Sequence, residues 1–303
     1  MRTEVNVGGL VLRTPITNAS GVLEWSPEAI VRMVEAGAGG VVLKTTTKEY
    51  RAGYAQPRVV KVPGGWLVAV GLANPGADRV RSMIPELKKA AGRVPVIGSV
   101  AGTSVQEFVE VAGMLEEGGV DALELNLSCP HFKGGGLEMG QDPAVSYEVV
   151  KNVASVVKVP VIAKLGLSDK VLEVAVKSLE GGARALALIN TIRSMKIDVY
   201  RKKPLLGNKH GGLGGESIHP IAVRVIYDVY KETKADIFGV GGVKDWETAV
   251  ELMLAGAKAV QIGSALMDRG ETVITEVLRG MEKFLWAEGF EDVREIVGLA
   301  HRE

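Results

Sequence analysis

Residues 171–191 read VLEVAVKSLEGGARALALINT, and the fold is decided there. Over 170–180 the apolar residues recur with the period of one helical face. Over 185–191 they run nearly unbroken and end on Asn190 and Thr191. An amphipathic helix is therefore joined to a strand buried on both faces, the pattern of a parallel sheet. The joint is Glu180-Gly181-Gly182-Ala183, with glycine where a helix leaves through a left-handed turn. The same joint recurs as Glu-Ala-Gly-Ala at 35–38, Glu-Gly-Gly-Val at 117–120 and Leu-Ala-Gly-Ala at 254–257. A repeat of helix, glycine and strand is the signature of a (β/α)8 barrel.

Working outward, seven more apolar runs complete a set of eight: 15–20 (PITNAS), 40–45 (GVVLKT), 95–100 (PVIGSV), 122–128 (ALELNLS), 160–165 (PVIAKL), 236–241 (DIFGVG) and 259–264 (AVQIGS). Helical stretches lie at 27–36, 105–117, 143–156, 217–232, 245–255 and 270–287. Ser26, Ser104 and Asp142 are suited as N-caps, and Pro143 to a first helical position. The expected fold class is α/β, a TIM barrel forming a single domain over 1–303. An open doubly wound sheet is the runner-up, but eight units without a midpoint break argue against it. Two segments depart from the repeat. Residues 5–13 read as a hairpin turning at Gly8-Gly9 and capping the barrel bottom. Residues 46–76, after the second strand, contain no helix. As a loop or β insertion on the face where barrels carry their sites, they are expected to roof the mouth.

Composition narrows the function. The 36 Lys+Arg balance 36 Asp+Glu, which disfavours a general electrostatic grip on nucleic acid or anionic lipid. One cysteine excludes an internal disulfide framework, and excludes a cysteine-ligated zinc or iron–sulfur site made by this chain alone. The start lacks the apolar stretch of a signal peptide, and no run of about 18 apolar residues appears. The expectation is a soluble cytoplasmic protein. Asn and Gln number 7 and 4, a scarcity that hints at a hot environment.

Polar residues gather at strand C-terminal ends, which converge on one mouth in a barrel. They are Asn18 and Ser20, Lys44 and Thr45, Ser99, Asn126 with Ser128 and Cys129, Lys164, and Asn190 with Thr191. A lysine ending an apolar strand either meets an anionic or polar ligand or snorkels to solvent. Gly241-Gly242 and Gly263-Ser264 end the last two strands, where this fold often binds phosphate; plain tight turns are the alternative. Cys129 precedes Pro130 and the run Gly134-Gly135-Gly136, at a place suited to a lid. Free cysteine is usually an inert small hydrophobe, but at a strand end it can serve as base or nucleophile. His131 reads as a loop residue rather than half of a dyad.

Taken in order, several motifs resemble the FMN-dependent dihydroorotate dehydrogenases. They are Asn18-Ala-Ser-Gly, Leu43-Lys-Thr, Gly71-Leu-Ala-Asn-Pro-Gly, Asn126-Leu-Ser-Cys-Pro-His, Gly140-Gln-Asp-Pro, Ala163-Lys-Leu, Ile189-Asn-Thr, Gly211-Gly-Leu, Pro220-Ile-Ala-Val-Arg and Gly241-Gly-Val. The resemblance spans almost the whole chain. It implies oxidation of dihydroorotate to orotate in pyrimidine biosynthesis, with FMN as cofactor. Cys129 resembles the base of the soluble cysteine class, and a thiol of ordinary pKa, about 8.5, needs its site to activate it. Lys44 is implied as catalytic, between flavin and substrate, and Lys164 at the flavin edge where its charge stabilises the reduced ring. Asn126, Asn190 and Thr191, with Gly71 and Leu72, are implied around the pyrimidine, whose amide-like edges match Asn. Ser20, Thr45 and Ser99 are implied beside the ring system or ribityl chain. Gly215, Gly241, Gly242, Gly263 and Ser264 are implied around the ribityl chain and phosphate.

The resemblance also implies partners. The glycine-rich run 133–139 is similar to that of the subclass whose catalytic subunit pairs with an electron-transfer subunit carrying FAD and an iron–sulfur cluster. Direct reduction of fumarate or another small acceptor is the competing route. A homodimer, alone or within a heterotetramer, is implied. The chain departs from the family where Val68 stands in Val-Ala-Val-Gly-Leu, in place of an Asn that contacts orotate. Val cannot donate a hydrogen bond, and losing such a partner costs about 1–3 kcal/mol. Two alternatives therefore stand beside the main reading. One is a flavoenzyme of a neutral dihydropyrimidine such as dihydrouracil. The other is a non-catalytic FMN-binding barrel, which has no need of Cys129 with both lysines. Arg51, Arg58 and Arg193 are candidates for the mouth, to meet a carboxylate.

Overall fold

The computed structural model describes residues 2–22, 25–127 and 140–302. Sixteen strands lie among them: β1 (Val5–Val7), β2 (Leu10–Leu12), β3 (Ile16–Asn18), β4 (Val41–Val42), β5 (Val59–Val62), β6 (Gly65–Val68), β7 (Val96–Val100), β8 (Ala122–Asn126), β9 (Val161–Leu165), β10 (Ala185–Leu188), β11 (Ile192–Ser194), β12 (Ile197–Asp198), β13 (Lys203–Pro204), β14 (Gly211–Gly214), β15 (Ile237–Val240) and β16 (Ala259–Ile262). Eight form one parallel sheet in the order β3-β16-β15-β10-β9-β8-β7-β4. Its two end strands meet through the parallel bridge Thr17–Gly40 and a 2.8 Å hydrogen bond from Gly39 N to Ile16 O. The sheet is a closed (β/α)8 barrel, and its eight strands are the eight runs expected from sequence. Every residue of β7, β8 and β9 is buried, which is why these strands read as unbroken apolar runs.

The helices are α1 (Pro27–Glu35), α2 (Ala77–Ala91), α3 (Val105–Gly118), α4 (Pro143–Val156), α5 (Val171–Glu180), α6 (His219–Thr233), α7 (Trp246–Ala255), α8 (Ser264–Arg269) and α9 (Thr272–Ala287). The expected caps form. Ser26 Oγ accepts from Ala29 N at 3.1 Å, and Ser104 Oγ from Glu107 N at 3.2 Å. Asp142 Oδ1 accepts from Ala144 N at 2.9 Å, with Pro143 opening the helix. At the glycine joints the chain takes positive φ, 101° at Gly119 and 107° at Gly182, a turn that other residues enter only with strain. Two helices stand outside those expected, the short α8 and the long α2. Its buried Ala77, Val80, Ile84, Leu87 and Ala91 make a regular apolar stripe, interrupted in the sequence by the charged residues and Pro85 of its outer face.

The bottom hairpin is β1 with β2, Val5 opposite Leu12. Gly8 N donates to Asp236 Oδ2 at 2.7 Å, and a Cβ on Gly8 would lie 2.9 Å from Arg184 O, so the turn rests against the start of the barrel strands. The insertion over 46–76 supplies the hairpin β5–β6, as expected, but this is half of the roof. The other half, β11 and β14, arrives from residues 192–214, and the four strands pair antiparallel as β11-β14-β6-β5. A small second core of Leu67, Ala69 and Leu206 holds this sheet together.

Candidate active site

The C-terminal ends of the barrel strands and the roof sheet enclose a cavity of about 360 Å³. Lys44 and Thr45 reach it after β4, Asn126 at the end of β8, Lys164 from β9, and Asn190 and Thr191 after β10. Val59, Trp66, Val68, Val70 and Leu72 close it from the roof. It is thus a mainly apolar chamber with polar groups fixed on one side, the usual make-up of a small-molecule site.

Those polar groups are linked. Thr45 Oγ1 lies 2.9 Å from Ser99 Oγ and accepts from Asn126 Nδ2 at 3.3 Å. Asn126 Oδ1 accepts from Asn190 Nδ2 at 3.3 Å, and Asn190 Oδ1 accepts from Thr191 N at 2.7 Å. The ladder crosses four strand ends, so the amide groups are held in place before any ligand arrives. Deeper in the barrel, Lys164 Nζ donates to Gln261 Oε1 at 3.0 Å, Glu124 Oε1 at 3.2 Å and Ser20 Oγ at 3.3 Å. Gln261 Nε2 completes a ring by donating to Glu124 Oε2 at 2.7 Å. Lys44 is half-buried, and burial holds its pKa below the ordinary lysine range; the positive charge of Arg58 pushes it the same way.

Glycines form another wall: Gly214, Gly215, Gly241, Gly242 and Gly263, with Ser264 opening α8. Gly242 has φ 71° and a Cβ there would lie 2.7 Å from His219 Cβ, so no larger residue fits. His219 is itself buried, with Nδ1 2.8 Å from Gly241 O and Nε2 3.0 Å from Glu251 Oε2. Backbone that comes this close to a cavity without side chains is the arrangement that receives phosphate.

The structure therefore gathers on one cavity Ser20, Lys44, Thr45, Gly71, Leu72, Asn126, Lys164, Asn190, Thr191, Gly215, Gly241, Gly242, Gly263 and Ser264. Cys129 lies outside the described residues, as do Ser128, His131 and the glycine run 134–136. Three expectations need correction. Ser99 does not line the cavity but stands behind Thr45, buried, as its hydrogen-bond partner. Asn18 is turned into the barrel wall, where Nδ2 donates to Val42 O at 2.7 Å and Oδ1 accepts from Val42 N at 2.8 Å. None of Arg51, Arg58 and Arg193 is on the wall: Arg58 braces its own loop by donating to Ala52 O and Tyr54 O, Arg51 pairs through its backbone with Asn74, and Arg193 faces outward from β11. Glu124, Gln261, Trp66 and His219 were missed. Glu124 and Gln261 had a legible signal, since each is a lone polar residue inside an apolar strand.

The model of the family described as dihydroorotate dehydrogenase matches residues 2–285. A protein of Aeropyrum pernix described as a dihydroorotate dehydrogenase A (fumarate) is 54% identical over 98% of this chain and 97% of its own length. The dihydroorotate dehydrogenase B (NAD(+)) catalytic subunit of Pyrococcus furiosus is 44% identical over the whole of both chains. The protein of that name from Methanothermobacter thermautotrophicus is 43% identical over 98% of both. With its barrel, its cavity and these similarities, the chain belongs to the dihydroorotate dehydrogenase family, whose members are flavin-dependent oxidoreductases.

Proposed function

We propose that this chain oxidises dihydroorotate to orotate in the pyrimidine biosynthesis of the cytoplasm, with FMN in the cavity and Cys129 as base. The observation that carries the reading is the meeting of two lysines, an amide ladder and a glycine wall on one chamber. The residues present fit FMN. Gly215, Gly241, Gly242, Gly263 and Ser264 offer backbone N–H groups to a phosphate, and Lys164 offers a buried cation to a ring that becomes anionic on reduction. FMN supplies the hydride acceptor.

The chain's own groups do the rest. Asn126 and Asn190 each present a donor and an acceptor, and their mutual hydrogen bond orients both carboxamides toward a ring with amide edges. Thr191 lies beside them, Gly71 and Leu72 bound the same space, and the roof residues exclude water from it. Lys44 lines the cavity, and its pKa is lowered by burial and by the positive charge of Arg58, a cationic setting suited to an anionic substrate. Cys129 follows Asn126 on the chain by three residues, and its role as proton acceptor rests on resemblance.

The electrons then leave this chain. With one cysteine it carries no cluster of its own, so a route through iron–sulfur to NAD requires a second subunit with FAD and the cluster. The catalytic-subunit names of the Pyrococcus and Methanothermobacter relatives support that route, and the fumarate in the name of the Aeropyrum relative supports the direct one. Among the described residues no helix is long and apolar enough to cross a membrane.

A second reading has an observation of its own. Among the described residues Val68 is on the cavity wall and no arginine is, so a neutral dihydropyrimidine is the competing substrate. An anaerobic visible spectrum separates the two. The flavin band should bleach with dihydroorotate and not with dihydrouracil. Bleaching by dihydrouracil alone moves the enzyme to the neutral ring, and a flavin that neither reduces leaves the cofactor in place and makes the substrate assignment wrong.

A further inference from the structure

Glu124 is a carboxylate completely buried inside the barrel. It precedes Asn126 by two residues on β8, so both side chains point inward and Glu124 lies one layer deeper. Asn126, Lys164 and Gln261 line the cavity, and Glu124 does not. Both of its oxygens are taken, one by Lys164 Nζ at 3.2 Å and one by Gln261 Nε2 at 2.7 Å. A buried ion pair gives the fold little, because desolvation offsets the attraction, and an apolar pair of similar size would serve as well. The distinctive effect of the ring is on charge. Lys164 alone would present a full positive charge to the cavity in a medium of low dielectric; paired with Glu124 it presents the positive end of a neutral pair.

We infer that Glu124 is the counter-ion that sets how much of the Lys164 charge reaches the cavity, and that it thereby tunes the reduction potential of the flavin bound there. The inference rests on the flavin reading proposed above. A flavin that takes up two electrons and one proton gains one negative charge. Positive charge beside it therefore favours the reduced form, and a carboxylate behind that charge moderates the effect. Glu124 lies behind the cavity wall, off its lining. It is a positioning residue that acts through Lys164, with Gln261 bridging the two.

The test is Glu124→Gln, which keeps shape and removes the charge, read by the midpoint potential of the bound flavin and by its affinity for sulfite, an anion that binds flavin more tightly where the surroundings are more positive. The potential should rise by roughly 30 mV, about tenfold in the two-electron equilibrium. Sulfite should bind several-fold tighter. Glu124→Asp, which keeps the charge, should return the potential toward that of the parent. If Lys164 without its partner prevents folding, Lys164→Gln is compared with Lys164→Gln/Glu124→Gln; with no lysine charge left to moderate, the two potentials should agree, and a higher potential in the double variant would mean that Glu124 does not act through Lys164. A potential unchanged by Glu124→Gln makes Glu124 a structural residue, and either of these last outcomes overturns the inference alone. A parent chain that takes up no flavin overturns the reading beneath it as well.

Discussion

Lys44 shows what its surroundings do to a single residue. Burial is the larger cause of its lowered pKa, and Arg58 adds to it. The folded value lies below the unfolded one, so the unfolded chain holds the proton more tightly. The resulting penalty on folding is present below the folded pKa and is relieved as pH rises through it toward the ordinary 10.5. Replacing Arg58 with Gln should move the Lys44 pKa upward, though not to the ordinary value, because burial remains. The pH at which Lys44 reacts with an amine-directed reagent, followed by mass spectrometry, reports this. Arg58→Lys keeps the charge and loses the planar fork that braces Ala52 O and Tyr54 O, so it should leave the reactivity profile in place. Equal profiles for Arg58→Gln and the parent would show that the arginine charge does not reach Lys44.

At the scale of elements, the seam between β3 and β4 is the thinnest part of the barrel. One bridge and one backbone hydrogen bond join these strands, and the Asn18 carboxamide supplies two more by pairing with both polar groups of Val42. Asn18→Ala leaves a buried N–H and C=O unpaired, at about 1–3 kcal/mol each, so denaturant unfolding should show a loss of about 2–6 kcal/mol. Exchange of the Val42 amide should quicken more than that of Ile97 on β7; uniform change would mean that Asn18 does not close the seam. The same residue marks a limit on reading sites from sequence. Asn18 and Asn126 both end apolar strands, yet one side chain enters the wall and the other the cavity, because alternate residues of a strand face opposite ways and register fixes which. The eight barrel strands were legible because burial on both faces leaves unbroken apolar runs, and the glycine joints because only a left-handed turn returns each helix to the sheet. The second half of the roof was not. Ile192–Ser194 and Gly211–Gly214 are short, glycine-rich or half-exposed; they become strands by pairing with each other and, through Gly211–Gly214, with Gly65–Val68 of a distant segment, where Gly212 lies opposite Val68. Nothing local in them announces that partner.

For the molecule as a whole, net charge zero conceals very unequal ion pairs. Pairs such as Arg81–Glu117 and Arg224–Asp228 lie on exposed side chains, and each contributes about 0–1 kcal/mol. Asp292 is different. It is buried, accepts from Arg294 Nε and N at 2.8 and 2.9 Å, and lies 3.2 Å from Arg2 Nε. Around it the two ends of the chain are tied, with Arg2 N donating to Glu291 O at 2.9 Å and Val293 N to Arg2 O at 3.0 Å. The Arg294 guanidinium holds the Asp292 carboxyl down to about 2, against an ordinary 3.8. A carboxylate whose pKa is lowered by folding stabilises the fold fully above its ordinary value, and that stabilisation is lost as pH falls through the folded one. Asp292→Asn should therefore lower the thermal midpoint at neutral pH. The gap to the parent should narrow between about pH 4 and pH 2, and close near pH 2, where the parent carboxylate is itself taking up its proton. A gap that stays constant down to pH 2 would assign the loss to packing or capping rather than to charge. The clasp would then hold the chain ends by shape alone.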